Sequence, residues 1–148
     1  MYHTIILALD GSEGADRAIP VAADLARRDG AHVIIAHAQT RALETAIRSR
    51  LDRQVADLRA AGVPADVAVA PATIEGREAD AIAQIAHDHA ADLVVIAGRG
   101  RSPFVGTVLG SVTQRLLHVS DVPVLVIPPG GTALQPRETA AVAVASEA

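Results

Sequence analysis

Short aliphatic runs alternate along this chain with longer segments whose apolar residues recur every three or four positions. The runs TIILAL (4–9), HVIIAHA (32–38), DLVVIA (92–97) and PVLVI (123–127) have strand length and almost no polar interruption. Such runs mark strands buried on both faces of a parallel sheet. A weaker run, ADVAVA (65–70), predicts one further strand. Between the runs lie helical stripes. Ile19, Ala22, Leu25 and Ala26 share one face of a helix over 14–29, and Leu43, Ile47, Leu51, Val55 and Leu58 form a stripe along 42–61. Ala79, Ile82, Ile85 and Ala86 point one way from a helix over 78–90, and 111–119 makes the last helix. Gly30 and Gly62-Val63-Pro64 are natural stops. Pro20 cannot donate to the carbonyl of Asp16, so the first helix either kinks there or begins its regular part later.

Strand and helix thus alternate as β-α-β-α-β-α-β-α-β. Right-handed crossovers convert that order into an α/β fold: a single-domain, open, parallel five-stranded sheet with helices on both faces. The expected domain is 1–128. Beyond Pro128 the pattern dissolves into Pro, Gly and Ala, and 129–148 reads as a flexible C-terminal tail. Its one docking hint is the AAVAVA stretch.

Composition narrows the function. Of 148 residues, half are hydrophobic but only Tyr2 and Phe104 are aromatic, so the core is aliphatic and no platform exists for stacking bases. The net charge of −4, with every one of the 13 basic residues an arginine, gives no basic stripe for nucleic acid. The absence of cysteine excludes disulfides, thiolate metal sites and a cysteine nucleophile. No apolar run approaches a membrane span, and no signal peptide precedes the first strand, which points to a cytoplasmic setting.

Ligands of open α/β sheets sit at the carboxyl ends of strands where the strand order reverses, here after the first and fourth strands. After the fourth comes AGRGRSPFVGTVLGS (97–111), whose four glycines allow close backbone approach and which runs straight into a helix. A glycine-rich loop joined to a helix N-terminus is an anion site. Ser111 and Thr113 add hydroxyls, and Arg99 and Arg101 add charge. The plainer alternative makes Ser111 an N-cap and the glycines turn residues. A dinucleotide fingerprint fails because Pro103 stands where its third glycine belongs, and a Walker loop fails for want of a lysine. Asp10, ending the first strand, either accepts from a ribose or adenine donor, helps hold a metal ion, or caps the turn with Gly11 and Ser12. Among other polar residues, His87 and His89 point different ways from one helix. His37 is a core histidine or a ligand neighbour, and His118 suits a helix end. Arg48, Arg50 and Arg53 with Asp52 and Glu44 read as a solvated helix face.

Together these residues resemble the universal stress protein family. The carriers are Leu9-Asp10-Gly11-Ser12, His37-Ala38, the Gly100-x9-Gly110-Ser111 spacing, Val112-Thr113-Gln114, and the segment from Asp121 to Pro128. One position departs: the first glycine of the motif falls on Ala97, whose methyl would crowd a phosphate if that position needed φ > 0.

The resemblance, spanning about 2–128, implies a Rossmann-like fold of the adenine nucleotide alpha hydrolase type with sheet order 3-2-1-4-5. It also implies the ATP-binding branch, with ATP accompanied by magnesium or manganese, and Asp10 as the candidate metal ligand. Asp10, with backbone at Ala8, would meet adenosine, and Ala38 would pack on adenine. Gly100, Gly110, Ser111 and Val112 would hold phosphates, with Gly98, Arg99, Arg101 and Thr113 as neighbours. It further implies a homodimer through the last strand, Val122 to Ile127, and a nucleotide-responsive regulatory or binding module in stress adaptation. No catalytic set accompanies the loop. The alternatives are a slow ATP-hydrolysing or self-phosphorylating enzyme of the same fold, and a ligand-free dimeric scaffold.

Overall fold

The computed structural model describes residues 1–39, 45–72, 76–98, 110–128 and 143–145. Its parallel strands are β1 (Thr4–Ala8), β2 (His32–Gln39), β3 (Ala65–Pro71), β4 (Leu93–Ala97) and β5 (Val124–Ile127). Their order is β3-β2-β1-β4-β5, the order that the family resemblance implied. A sixth strand, β6 (Ala143–Ala145), pairs antiparallel with β5 at the sheet edge, Leu125 opposite Val144. The expected five-stranded sheet therefore gains one strand, drawn from the AAVAVA stretch of the segment read as a tail. Three residues are too short a run to register as a strand beside so much alanine.

Each inner strand feeds both faces of the sheet. Ile5, Leu7 and Leu9 point into one cluster with Val33, Ile35 and Val95, and helices α1 (Ala18–Asp29) and α2 (Thr45–Ala60) cover it. Ile6, Ala8, Val94, Ile96 and Val124 point into the other, under α3 (Glu78–Asp88) and α4 (Ser111–Val119). Alternation along a strand buried on both sides produces this split.

The helices keep the predicted faces with one shift. Ala79, Ile82, Ile85 and Ala86 of α3 are buried, as are Leu51, Val55 and Leu58 of α2; Leu43 lies outside the described residues. In α1 the alanines Ala18, Ala22, Ala23 and Ala26 meet the sheet, while Ile19 and Leu25 flank it half-buried. Small side chains bring α1 close to the strands.

Pro20 is accommodated because α1 proper begins only at Ala18, after a single 3₁₀ turn at Ala15–Arg17. Proline in a first turn removes a donor that has no intrahelical partner there. Gly30 ends α1 at φ +67, a left-handed cap. The third helix stops earlier than expected, at Asp88, and Ala90 follows at φ +49. An alanine carries steric strain there that glycine does not, so Ala90→Gly is expected to raise stability by about 0.5–1 kcal/mol in thermal melts.

The start of the chain is tied down by carboxylates. Asp92 accepts hydrogen bonds from the backbone N–H groups of His3 (2.6 Å) and Thr4 (2.9 Å), and Asp29 accepts from that of Tyr2 (2.6 Å). The donors of Thr4 and His3 hold the Asp92 carboxyl below its usual range. A group depressed on folding contributes stability that is present above its unfolded pKa and lost as pH falls through the folded one. Asp92→Asn is therefore expected to lower the melting temperature at pH 7, with the gap to wild type narrowing as pH falls below about 4. A gap independent of pH would contradict this assignment. Among the described residues, no helix is long and apolar enough to cross a membrane.

Candidate functional site

The sheet register brings the ends of three strands to one level. Ala8 of β1 pairs with Ala36 of β2 on one side and Ile96 of β4 on the other. Two residues further along each strand stand Asp10, Ala38 and Gly98. Adjacent strands whose helices depart to opposite faces leave a crevice between them, here between β1 and β4. Segments far apart in the chain thus share the rim on which Asp10 stands.

After β1 the chain turns sharply. Oδ1 of Asp10 accepts from the backbone N–H of Ser12 (2.9 Å) and from its hydroxyl (2.5 Å), and Ser12 Oγ accepts from the N–H of Ala15 (3.2 Å). This is the turn-capping role open to Asp10 from the sequence, and it leaves the residue exposed at the rim. Gly11 adopts φ +86 in this turn, and a Cβ at that position would fall 3.4 Å from Cγ1 of Ile47. A side chain there meets both strain and α2.

His37 is buried; its Nδ1 lies 3.0 Å from the carbonyl of Leu9, which can only accept. Of the two roles open to it, the core one is observed: it fixes the backbone immediately before Asp10.

On the other side of the crevice β4 ends at Ala97, in register with Ile127. Positive φ among the described non-glycine residues occurs at Ala90 alone, so Ala97 sits in ordinary extended backbone and its position demands no glycine. Gly98, buried, donates its N–H to the carbonyl of Ile127 (2.8 Å). Its carbonyl accepts from Nη2 of Arg17 (2.8 Å), whose Nε donates to the carbonyl of Gly14 (3.0 Å). Arg17 was not among the expected site residues. Nothing in the local sequence marks it, since its partner is 81 positions away. Arg99, Gly100 and Arg101 lie outside the described residues.

The next described residue is Gly110, the extended N-cap of α4. Glycine has no side chain with which to cap, and the first donors of a helix have no intrahelical acceptor, so the N–H groups at Ser111, Val112 and Thr113 form the positive end of α4. The cap is thus Gly110 and not Ser111, which is the first helical residue and exposed, while Thr113 is buried. From below, α4 is tied to α3 by a forked pair: Arg115 Nε and Nη2 donate to the two oxygens of Asp80 at 2.7 and 3.0 Å. The Arg115 guanidinium holds the Asp80 carboxyl below its ordinary value.

The arginine-rich face of α2 divides. Arg48 pairs with Asp52 on the exposed side, as expected. Arg50 instead turns inward to Asp16, which also accepts from Gln54 Nε2 at 2.9 Å, so α2 is bolted to the 3₁₀ turn that carries Arg17. Among the described residues, no three His, Asp or Glu side chains gather to hold a metal ion.

Fold and crevice together define a doubly wound α/β protein whose strand order reverses between β1 and β4. The family model for the universal stress protein family matches residues 1–128. This chain belongs to that family. A universal stress protein of Thermus aquaticus is 34% identical over 139 residues, covering 86% of this chain and 99% of the relative. Against a Mycobacterium tuberculosis universal stress protein it is 32% identical over 84% of this chain and spans 45% of that longer protein. Among solved structures, a universal stress protein in complex with cAMP is 28% identical with a TM-score of 0.70, over 87% of this chain and 98% of that one. The Archaeoglobus fulgidus universal stress protein in complex with dAMP is 25% identical with a TM-score of 0.66, over 85% and 98%.

Proposed function

We propose that this chain binds ATP in the crevice between β1 and β4 and acts as a nucleotide-responsive regulatory module in stress adaptation. The observation that carries the reading is the convergence of Asp10, Ala38 and Gly98 at one level of the sheet, together with a helix start capped only by glycine. The cAMP and dAMP held by the two solved relatives support an adenine nucleotide.

In this reading Asp10 and the backbone at Ala8 meet the ribose, and Ala38 lies against adenine. Gly100, Gly110, Ser111 and Val112 receive the phosphates, with Gly98, Arg99, Arg101 and Thr113 as neighbours. Magnesium or manganese accompanies ATP, with Asp10 its candidate protein ligand. Oriented N–H groups suit bound phosphate without committing the site to hydrolysis. The protein then works by differential affinity: ATP favours the conformation or assembly that a cytoplasmic partner reads.

Calorimetry with ATP, AMP and cAMP, joined to mass spectrometry of gently purified protein, tests this. Binding of ATP, or ATP carried through purification, is the expected result; silence toward all three at millimolar concentration overturns it. Release of ADP at about 1 s⁻¹ or faster would instead place the chain among enzymes.

Assembly is proposed to be a homodimer through the edge of the last parallel strand, Val122 to Ile127. In the single chain β6 occupies that edge along Val124–Val126. That three-residue cover competes with a partner's strand for the edge, so the dimer forms where β6 is displaced. Removing 129–148 is accordingly expected to strengthen dimerisation in sedimentation, and an unchanged monomer–dimer distribution would count against this edge.

A further inference from the structure

We infer that Arg17 is a positioning residue for the phosphate end of the crevice, a role that rests on the nucleotide-binding reading above. The guanidinium of Arg17 spans the crevice: one nitrogen is bound to the carbonyl of Gly14 in the loop after β1, another to the carbonyl of Gly98 where the chain leaves β4. Gly98 is thereby held on both sides, its N–H by Ile127 of β5 and its carbonyl by Arg17. The far end of the glycine-rich segment is held independently, by Gly110 at the start of α4.

Arg17 itself stands on a firm base. The turn it belongs to is fixed by the Asp10–Ser12–Ala15 bonds before it and by the Asp16 contacts to Arg50 and Gln54 of α2 beside it. A planar fork with fixed donor directions is suited to joining two carbonyls from different loops, which a single ammonium cannot match. Holding the departure point of a phosphate-binding segment in place before the ligand arrives lowers the ordering cost of binding. The Asp10–Ala38 side, where adenosine would sit, is built from β1 and β2, and neither hydrogen bond of the Arg17 guanidinium reaches it.

That asymmetry supplies the test, calorimetry of ATP and adenosine on full-length wild type, Arg17→Ala, Arg17→Gln and Arg17→Lys. For the alanine and glutamine variants, ATP affinity is expected to fall about ten-fold, the scale of one hydrogen bond from a charged donor, with adenosine affinity unchanged. Lysine keeps the charge but not the fork, so it recovers only part of the loss. Full recovery in Arg17→Lys overturns the clamp in favour of simple charge attraction, and equal losses for ATP and adenosine reduce Arg17 to a general structural residue. Unchanged ATP affinity in Arg17→Ala also defeats the proposal while leaving the nucleotide reading intact. If wild type binds neither ligand, the nucleotide reading fails and the role of Arg17 falls with it. Arg17→Gln, which keeps most of the side chain's length, keeps the test open if the alanine variant does not fold.

Discussion

Ser111→Asp is expected to weaken ATP binding about 100-fold while leaving the fold as stable as before, or slightly more so. Ser111 is the first, exposed residue of α4, at the positive end of the helix. A carboxylate there interacts favourably with the helix dipole and contributes about 0.3–1 kcal/mol of stability. The same carboxylate occupies the place proposed for phosphate, and two like charges ~5 Å apart near a protein surface repel by on the order of 3 kcal/mol. Stability and affinity therefore move in opposite directions, a combination that general damage does not produce. Ser111→Ala, which removes only a hydroxyl, is the milder companion. Thermal melts and calorimetry on the same samples read both quantities. Wild-type ATP affinity in Ser111→Asp would remove the phosphate from this end of α4.

Leu116→Ala is the variant expected to cost most in stability, about 2–5 kcal/mol. Leu116 is fully buried and is the large side chain by which α4 enters the cluster of Ile6, Val94, Val124 and Val126. Shortening it removes packing and leaves a cavity that an all-aliphatic sheet, rigid in its register, fills poorly. For a chain of this length the loss corresponds to a drop in melting temperature of roughly 10 °C. Leu117, only partly buried beside the same cluster, should cost less than half as much when cut to alanine. A urea or thermal melt that ranks the two the other way would mean that α4 is seated on a different face. Because α4 presents Ser111, Leu116→Ala should also weaken ATP binding, though by less than Ser111→Asp.

Much of this molecule was legible along the chain because its signals are local. The aliphatic runs declare buried strands, the three- and four-residue spacings declare helix faces, and their strict alternation leaves few topologies once crossovers are right-handed. The faces of α2 and α3, the stop at Gly30 and the start of α4 at Ser111 all follow from such signals, while the order β3-β2-β1-β4-β5 was carried by the family resemblance. The family, too, was legible, since Asp10-Gly11-Ser12 and the Gly100-x9-Gly110-Ser111 spacing are carried by neighbouring residues.

What depended on tertiary structure is whatever requires two distant segments to meet. That Ala97 stands in extended backbone follows from its place at the end of β4 in register with Ile127, and that Arg50 leaves the solvated face of α2 follows from where Asp16 lies. Ile19 and Leu25 sit beside the sheet and not on it because α1 approaches closely through its alanines. The sixth strand formed because β5 offered an unpaired edge to a short alternating segment that has no strand signal of its own. Arg17 belongs to the same class: in the chain it is one charged residue in a polar turn, and only the parallel register of β1 with β4 brings its guanidinium to the carbonyl of Gly98. Periodicity and spacing are properties of one segment, which the sequence by itself determines. A hydrogen bond across a crevice belongs to two, and only the folded sheet decides which two they are.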